Sequence, residues 1–280
     1  MHLLPNRPIR SGGAMKPFAI KPVVQWRQSA QRSEEQALIN EEPLSIRVQG
    51  EPYAVVMRTP GEEIDHVAGF CLAEGIVDGR HDIKNIAFCD GDDTNTVTVT
   101  LTAERQARVR GHLDRRSYIS QTSCGICGKA IVDDLVQILK PSDRDPSFTV
   151  GDILGQLEGL RDHQRLRAVT RAAHAALIAD VRLTVLSVAE DVGRHNALDK
   201  AVGKLFRSDR LSAAALLVLS SRISYELVQK AARARIPVIA AVSRPTLLAV
   251  NLAERLNITL ACQARRDELL VFCHAHRLSQ

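Results

Sequence analysis

From Leu166 onward, short apolar runs alternate with amphipathic helical stretches, and this rhythm constrains the fold more than any other feature of the chain. "LTVLSVA" is strand-like and enters the polar loop and helix of "EDVGRHNALDKAVGKLF". "AALLVLSS" is followed by the helical "RISYELVQKAARAR", and "PVIAAVS" by "PTLLAVNLAERLN". "ITLAC" and "ELLVFC" close the chain as strands. Alternating strands and helices point to a layered α/β domain with some parallel pairing.

The N-terminal half reads differently. "LSIRV" and "YAVVMRT" flank "QGEP", a hairpin signal built on Gly50 and Pro52. In "GEEIDHVAGFCLAEGIV", residues Ile64, Val67, Ala68, Cys71 and Leu72 share one helical face. "NIAFCDGDDTNTVTVTL" is a second strand–turn–strand unit, turning at Gly91–Asp93. A small mixed α+β domain is expected over 35–115, and the layered α/β domain over 116–280. Residues 1–34 open with basic side chains (Arg7, Arg10, Lys16, Lys21, Arg27, Arg32) before any acid, and read as a disordered basic leader.

The 280 residues are 45% apolar and 25% charged, an ordinary globular balance, with a net charge of +5. The excess of cations favours anionic partners. Aromatics are only 4%, which argues against base stacking, so nucleic acid is not expected as a partner. No apolar run is long enough to span a bilayer, and the first residues lack the apolar core of a signal peptide. A cytoplasmic protein without a membrane partner is therefore expected. Its six cysteines read as thiols rather than a disulfide framework, with Cys71, Cys89, Cys262 and Cys273 as small buried side chains.

Two strand ends carry anion chemistry. "AALLVLSS" finishes at Ser220, Ser221 and Arg222, and "PVIAAVS" at Ser243 and Arg244, each before a helix. Ligands of α/β sheets sit beyond the carboxyl ends of strands, and hydroxyls with a guanidinium there suit phosphate. Serine capping with a solvated arginine is the plainer alternative. In "EDVGRHNALDK", Arg194 and His195 follow Gly193, and His195 shares a helix face with Asp199 four residues on. That pair suggests a binding or orienting role at an active edge; a charged solvent face is the alternative.

"QTSCGICGK" places Cys124 and Cys127 at CxxC spacing. A closed zinc site needs four ligands, and no second CxxC exists. A redox dithiol usually opens a helix directly after a strand, whereas "RRSYISQTS" is polar. The third alternative is a thiol that carries an atom. Gly125 and Gly128 favour a mobile loop, and Lys129 with the start of the helix expected over "KAIVDDLVQIL" supplies positive potential that activates a thiolate. Such a thiolate can accept sulfur from a persulfide and pass it on.

"SCGICG", "EDVGRHNALDK" and "SSRISYELVQKAA", in this order, resemble the formate dehydrogenase accessory sulfurtransferase (FdhD-type) family. "EEPLSIRVQGEPYAVVMRTPG" and "GFCLAEGIV" resemble its N-terminal half. The resemblance implies a sulfur carrier that takes sulfur from a cysteine desulfurase as a persulfide on Cys124, with Cys127 assisting. It implies delivery to the molybdenum cofactor, bis(molybdopterin guanine dinucleotide), before that enters formate dehydrogenase. It further implies a homodimer, a cytidine-deaminase-like C-terminal fold, and cofactor contact at Gln263, Ala264, Arg265, Arg266, Asp267 and Glu268. A non-catalytic chaperone for the cofactor or the apo-enzyme is the other reading of the resemblance; reversible disulfide chemistry between Cys124 and Cys127 is a third. True deaminases carry a zinc-binding His-x-Glu before Pro-Cys-x-x-Cys; here Ser123 and Ala176 stand at the proline and glutamate positions, so no zinc is expected. Two features differ from the family: Arg171 stands in a turn where it carries glycine, and "QARRDE" lacks its aromatic start and Gly-Arg end.

Overall fold

The computed structural model describes residues 16–28, 30–90, 93–116 and 139–280. Cys124, Cys127 and the helix expected after Lys129 lie outside the described residues.

The first strands are β1 (Phe18–Arg27) and β2 (Ala30–Ile39), an antiparallel hairpin. This corrects the expectation of a disordered leader through residue 34. The charges that suggested disorder are spaced among Ile20, Val23, Val24 and Trp26, residue types that favour extended backbone. Strands β3 (Glu42–Val48), β4 (Glu51–Arg58), β5 (Ile83–Asp90) and β6 (Asp93–Leu101) form a four-stranded sheet in the order β4-β3-β6-β5, with β3 and β6 parallel. The β3–β4 turn uses Gln49 and Gly50, both at positive φ (57° and 85°), the backbone of a tight two-residue hairpin. Leu44, Ile46 and Val48 alternate into the core, and Val97, Val99 and Leu101 do the same from β6. Helix α1 (Glu63–Ala73) joins β4 to β5, and α2 (Ala103–Arg116) follows β6.

The second half builds a six-stranded sheet. A two-residue β7 (Phe148–Thr149) leads into α3 (Val150–Gly159), whose N-terminus is closed by a capping box between Thr149 and Asp152. Helix α4 (Arg165–Thr170) is one and a half turns long. Then come β8 (His174–Ala179), β9 (Val185–Asp191), α5 (Arg194–Arg207), β10 (Leu216–Leu219), α6 (Tyr225–Arg233), β11 (Val238–Ala241), α7 (Leu247–Arg255), β12 (Thr259–Arg265), β13 (Glu268–Cys273) and β14 (Leu278–Ser279). The sheet order is β13-β12-β11-β10-β8-β9. Strands β10, β11 and β12 are parallel, while β8, β9 and β13 run antiparallel to their neighbours.

Both faces of this sheet are covered, so its central strands are apolar throughout. On β8, Ala176 and Ile178 join the large cluster shared with α5, α6 and α7, while Ala175 and Leu177 pack with Ile153 and Leu157 of α3. The large cluster continues through α1 to Leu44 and Val97 of the four-stranded sheet, so the two sheets share one apolar core. The link is a close crossing of α1 and α5. A β-carbon on Gly69 would lie 1.9 Å from the Asp199 carbonyl oxygen, and one on Gly203 would lie 1.8 Å from that of Asp65. Only glycine lets these backbones meet. Among the described residues, no helix is long and apolar enough to cross a membrane.

Candidate functional site

The carboxyl ends of the parallel strands open into a cleft of about 1080 Å³. Ser220 lies where β10 stops. Its hydroxyl accepts the Ala175 N–H at 2.8 Å, and its own N–H donates to the Ala175 carbonyl at 3.1 Å. Pairing with β8 thus continues one residue past the strand. The loops after β10 and β11 stay paired as well: the Val242 N–H donates to Leu219, the Ile223 N–H to Arg244, and the Thr246 N–H to Ile223. The backbone at both strand ends is therefore fixed.

Against this floor stand two walls. One is the β12–β13 hairpin, with Gln263, Ala264, Arg265 and Arg266. The other runs from α3 through α4, with Arg161, Gln164, Arg167 and Arg171. The α4 wall is anchored by Glu190 of β9, whose carboxylate accepts the N–H groups of Leu166 (2.7 Å) and Arg167 (2.9 Å). Arg171 ends α4 in the left-handed region (φ 58°), its N–H donating to the Arg167 carbonyl at 2.8 Å. The turn shape that glycine favours is therefore kept by an arginine.

Of the residues singled out in the sequence, the cleft lining gathers Ser220, Gln263–Arg266 and Arg171, the last noted only as a departure from the family. Asp267 and Glu268 sit at the hairpin tip outside that lining. Ser221 is buried and its hydroxyl donates to the Arg222 carbonyl (3.0 Å); Arg222 is exposed and Ser243 partly so, and neither lines the cleft. The helix caps fall to other residues: Ser224 occupies the N-cap of α6, and the Thr246 hydroxyl accepts the Ala249 N–H of α7. Apart from Arg171, the α3–α4 wall is not among the sites read from the sequence. Its signal was there: "LRDHQRLRAVTR" holds four arginines against one aspartate.

Arg194 and His195 begin α5, apart from that lining. The pairing expected from helical spacing is corrected here. His195 Nε2 meets Glu226 at 2.8 Å and the Ser224 hydroxyl at 3.2 Å, while Asp199 is buried and binds Lys230 through both oxygens at 2.7 Å. The hydrogen bond from His195 holds the Glu226 carboxyl below the usual range. Nearby, partial burial and the guanidinium of Arg194 push the imidazole of His174 below its ordinary pKa. Neither His174 Nδ1 nor Arg194 Nε finds a hydrogen-bond partner among the described residues.

The remaining polar groups of "EDVGRHNALDK" tie the two halves together. Asp191 is fully buried and accepts the N–H groups of Thr59 (3.0 Å) and Gly193 (2.8 Å) and the Asn196 amide (2.9 Å). Lys200, also buried, lies 2.7 Å from Asp191 and donates to the Thr59 carbonyl at 2.8 Å. The expected active edge is thus largely a junction, in which a buried charge pair is satisfied by backbone groups of the other half.

Among the described cysteines, Cys71 and Cys262 are buried and Cys273 partly so, in line with their small apolar reading. Cys89 departs from it: it is exposed, with its sulfur 2.7 Å from the Thr98 hydroxyl. Burial pushes the Cys273 thiol up to about 11 and raises Cys71 and Cys262 as well, so these three stay protonated at neutral pH and are poor nucleophiles.

The fold and cleft define a class: a layered α/β protein with a broad, arginine-lined cleft beyond the ends of its parallel strands. The chain belongs to the FdhD/NarQ family, which matches residues 39–279. It is 40% identical over 254 residues to the sulfur carrier protein FdhD of Mycobacterium tuberculosis, covering 87% of this chain and 92% of that one. It is 37% identical over 268 residues to the sulfur carrier protein FdhD of Streptomyces coelicolor, covering 92% and 95%. The fold is also that of a crystal structure from Desulfotalea psychrophila, provisionally described as a formate dehydrogenase accessory protein. That match has a TM-score of 0.75 at 20% identity, over 94% of this chain and all of the other.

Proposed function

We propose that this protein is a sulfur carrier in the maturation of formate dehydrogenase, acting on the bis(molybdopterin guanine dinucleotide) form of the molybdenum cofactor. One observation carries the proposal. In a chain with close relatives named sulfur carriers, the fold brings Ser220 and Gln263–Arg266, far apart in sequence, into one basic cleft. A ligand with two guanine dinucleotide arms is large and polyanionic. A cleft of about 1080 Å³ lined by arginines suits both properties.

In this reading the Cys124 thiolate attacks the outer sulfur of a cysteine desulfurase persulfide. The donor's S–S bond breaks, a new one forms on Cys124, and the donor cysteine leaves as a thiolate, so no outside oxidant is needed. Cys127 assists the onward transfer. The homodimer and the deaminase-like character of the C-terminal half belong to the same proposal.

The competing reading is a passive chaperone that holds the cofactor or the apo-enzyme. The test is formate dehydrogenase activity in cells whose own copy is replaced by Cys124→Ala. The carrier account expects activity to fall at least a hundredfold, with the variant accumulating at the normal level. Activity near that of the unaltered protein would favour the chaperone.

A further inference from the structure

The two walls of the cleft carry arginines in different electrostatic states. On the hairpin wall, each guanidinium has a carboxylate beside it: Arg265 meets Glu268 at 3.2 Å, and Arg266 meets Glu158 at 3.5 Å. With Asp267 also present, "QARRDE" has no net charge. On the helical wall, the side chains of Arg161 and Arg171 make no hydrogen bond or ion pair to any described residue, and Arg167 donates only to the Ala173 carbonyl, at 3.3 Å. Two carboxylates lie near this wall: Glu190 is taken up by the backbone N–H groups of Leu166 and Arg167, and Glu158 of α3, in the cleft lining, lies against Arg266.

One further observation points to a ligand at this wall. Gln164 lies in the lining between Arg161 and Arg167. The residue is 7% exposed, and its side-chain Nε2 is buried without a partner among the described residues; a buried donor left unsatisfied in this way is unfavourable until a ligand atom meets it. Arg171 holds φ at 58°. Glycine would end α4 there with less strain, whereas arginine keeps the turn and adds an exposed guanidinium at the cleft rim.

We infer that the helical wall, through Arg161 and Arg171 flanking Gln164, supplies the main phosphate-binding charge of this cleft, and that the hairpin arginines contribute less. This rests on the reading of the cleft as a site for a guanine dinucleotide ligand. A phosphate arriving at Arg265 or Arg266 must compete with a carboxylate already in place, while one at Arg161 or Arg171 displaces only water.

The test is titration calorimetry on the full chain with two probes, guanosine diphosphate and inorganic pyrophosphate. Arg161→Ala/Arg171→Ala is compared with Arg265→Ala/Arg266→Ala. All four side chains are exposed, so both variants should fold, and unchanged thermal melts confirm it. The expected result is at least a tenfold loss of affinity for both probes in the helical-wall variant, and less than threefold in the hairpin variant. An equal or larger loss in the hairpin variant overturns the inference while leaving the cofactor reading intact. Loss of guanosine diphosphate alone, with pyrophosphate unaffected, also overturns it, because the arginines would then be reading the base. If the unaltered protein binds neither probe, both the inference and the cofactor reading fall.

Discussion

His66 lies on α1 with no exposed surface, beside the Asn196 side chain. Burial, with Lys200, Lys230 and Arg58 nearby, drives its pKa well below the ordinary 6.5. The folded protein therefore holds this imidazole neutral, while the unfolded chain takes up a proton below pH 6.5. Stability from this group is present above that pH and declines as pH falls, by up to about 1.4 kcal/mol per unit. Urea unfolding at pH 7.5 and 5.5 should show the decline, and it should be shallower in His66→Leu. An identical pH dependence in the two proteins would remove His66 from the account. The sequence exposed the identity of such residues but not their surroundings. Asp191, His195 and Asp199 were legible as a polar cluster; that Asp191 reaches Thr59 and that His195 turns to Glu226 depends on contacts between segments remote in sequence.

At the level of helices and strands, the α1–α5 crossing is where a small change should have a large effect. Gly69→Ala and Gly203→Ala each force a methyl group into a facing carbonyl, and overpacking of this kind costs about 1–3 kcal/mol. Urea midpoints should fall accordingly, whereas Gly155→Ala, at a helix position with open space around it, should leave the midpoint unchanged or raise it. Equal effects at all three sites would contradict the close-crossing account. The alternating pattern of the second half made β9 to β13 and α5 to α7 readable, because helical and strand periods differ clearly there. Strand β8 was missed: buried on both faces, "HAALIA" has no alternation to read. The β1–β2 hairpin was missed for the opposite reason, since its basic charges obscured a run of β-favouring residues. Helices α3 and α4 were missed too, and with them all of the arginine wall but Arg171.

Across the whole molecule, one shared core holds the two sheets together, and the "EDVGRH" loop fastens its polar edge. This leaves the ends of β10, β11 and β12 fixed and open, between the helical wall with its unpaired arginines and the hairpin wall, whose arginines are paired with carboxylates. The sequence pointed to Ser220 and to the 263–268 segment, of which 263–266 line the cleft, and to Arg171, but a one-dimensional reading cannot place the segment 161–171 across from them. The central claim is that Cys124 carries sulfur. Its most direct test is the intact mass of the full chain after incubation with a cysteine desulfurase and cysteine, before and after a thiol reductant. The account predicts a reductant-labile gain of one sulfur atom that maps to Cys124 and is absent from Cys124→Ala, which still retains the exposed Cys89. The same gain in Cys124→Ala, or none in the unaltered protein, would contradict it.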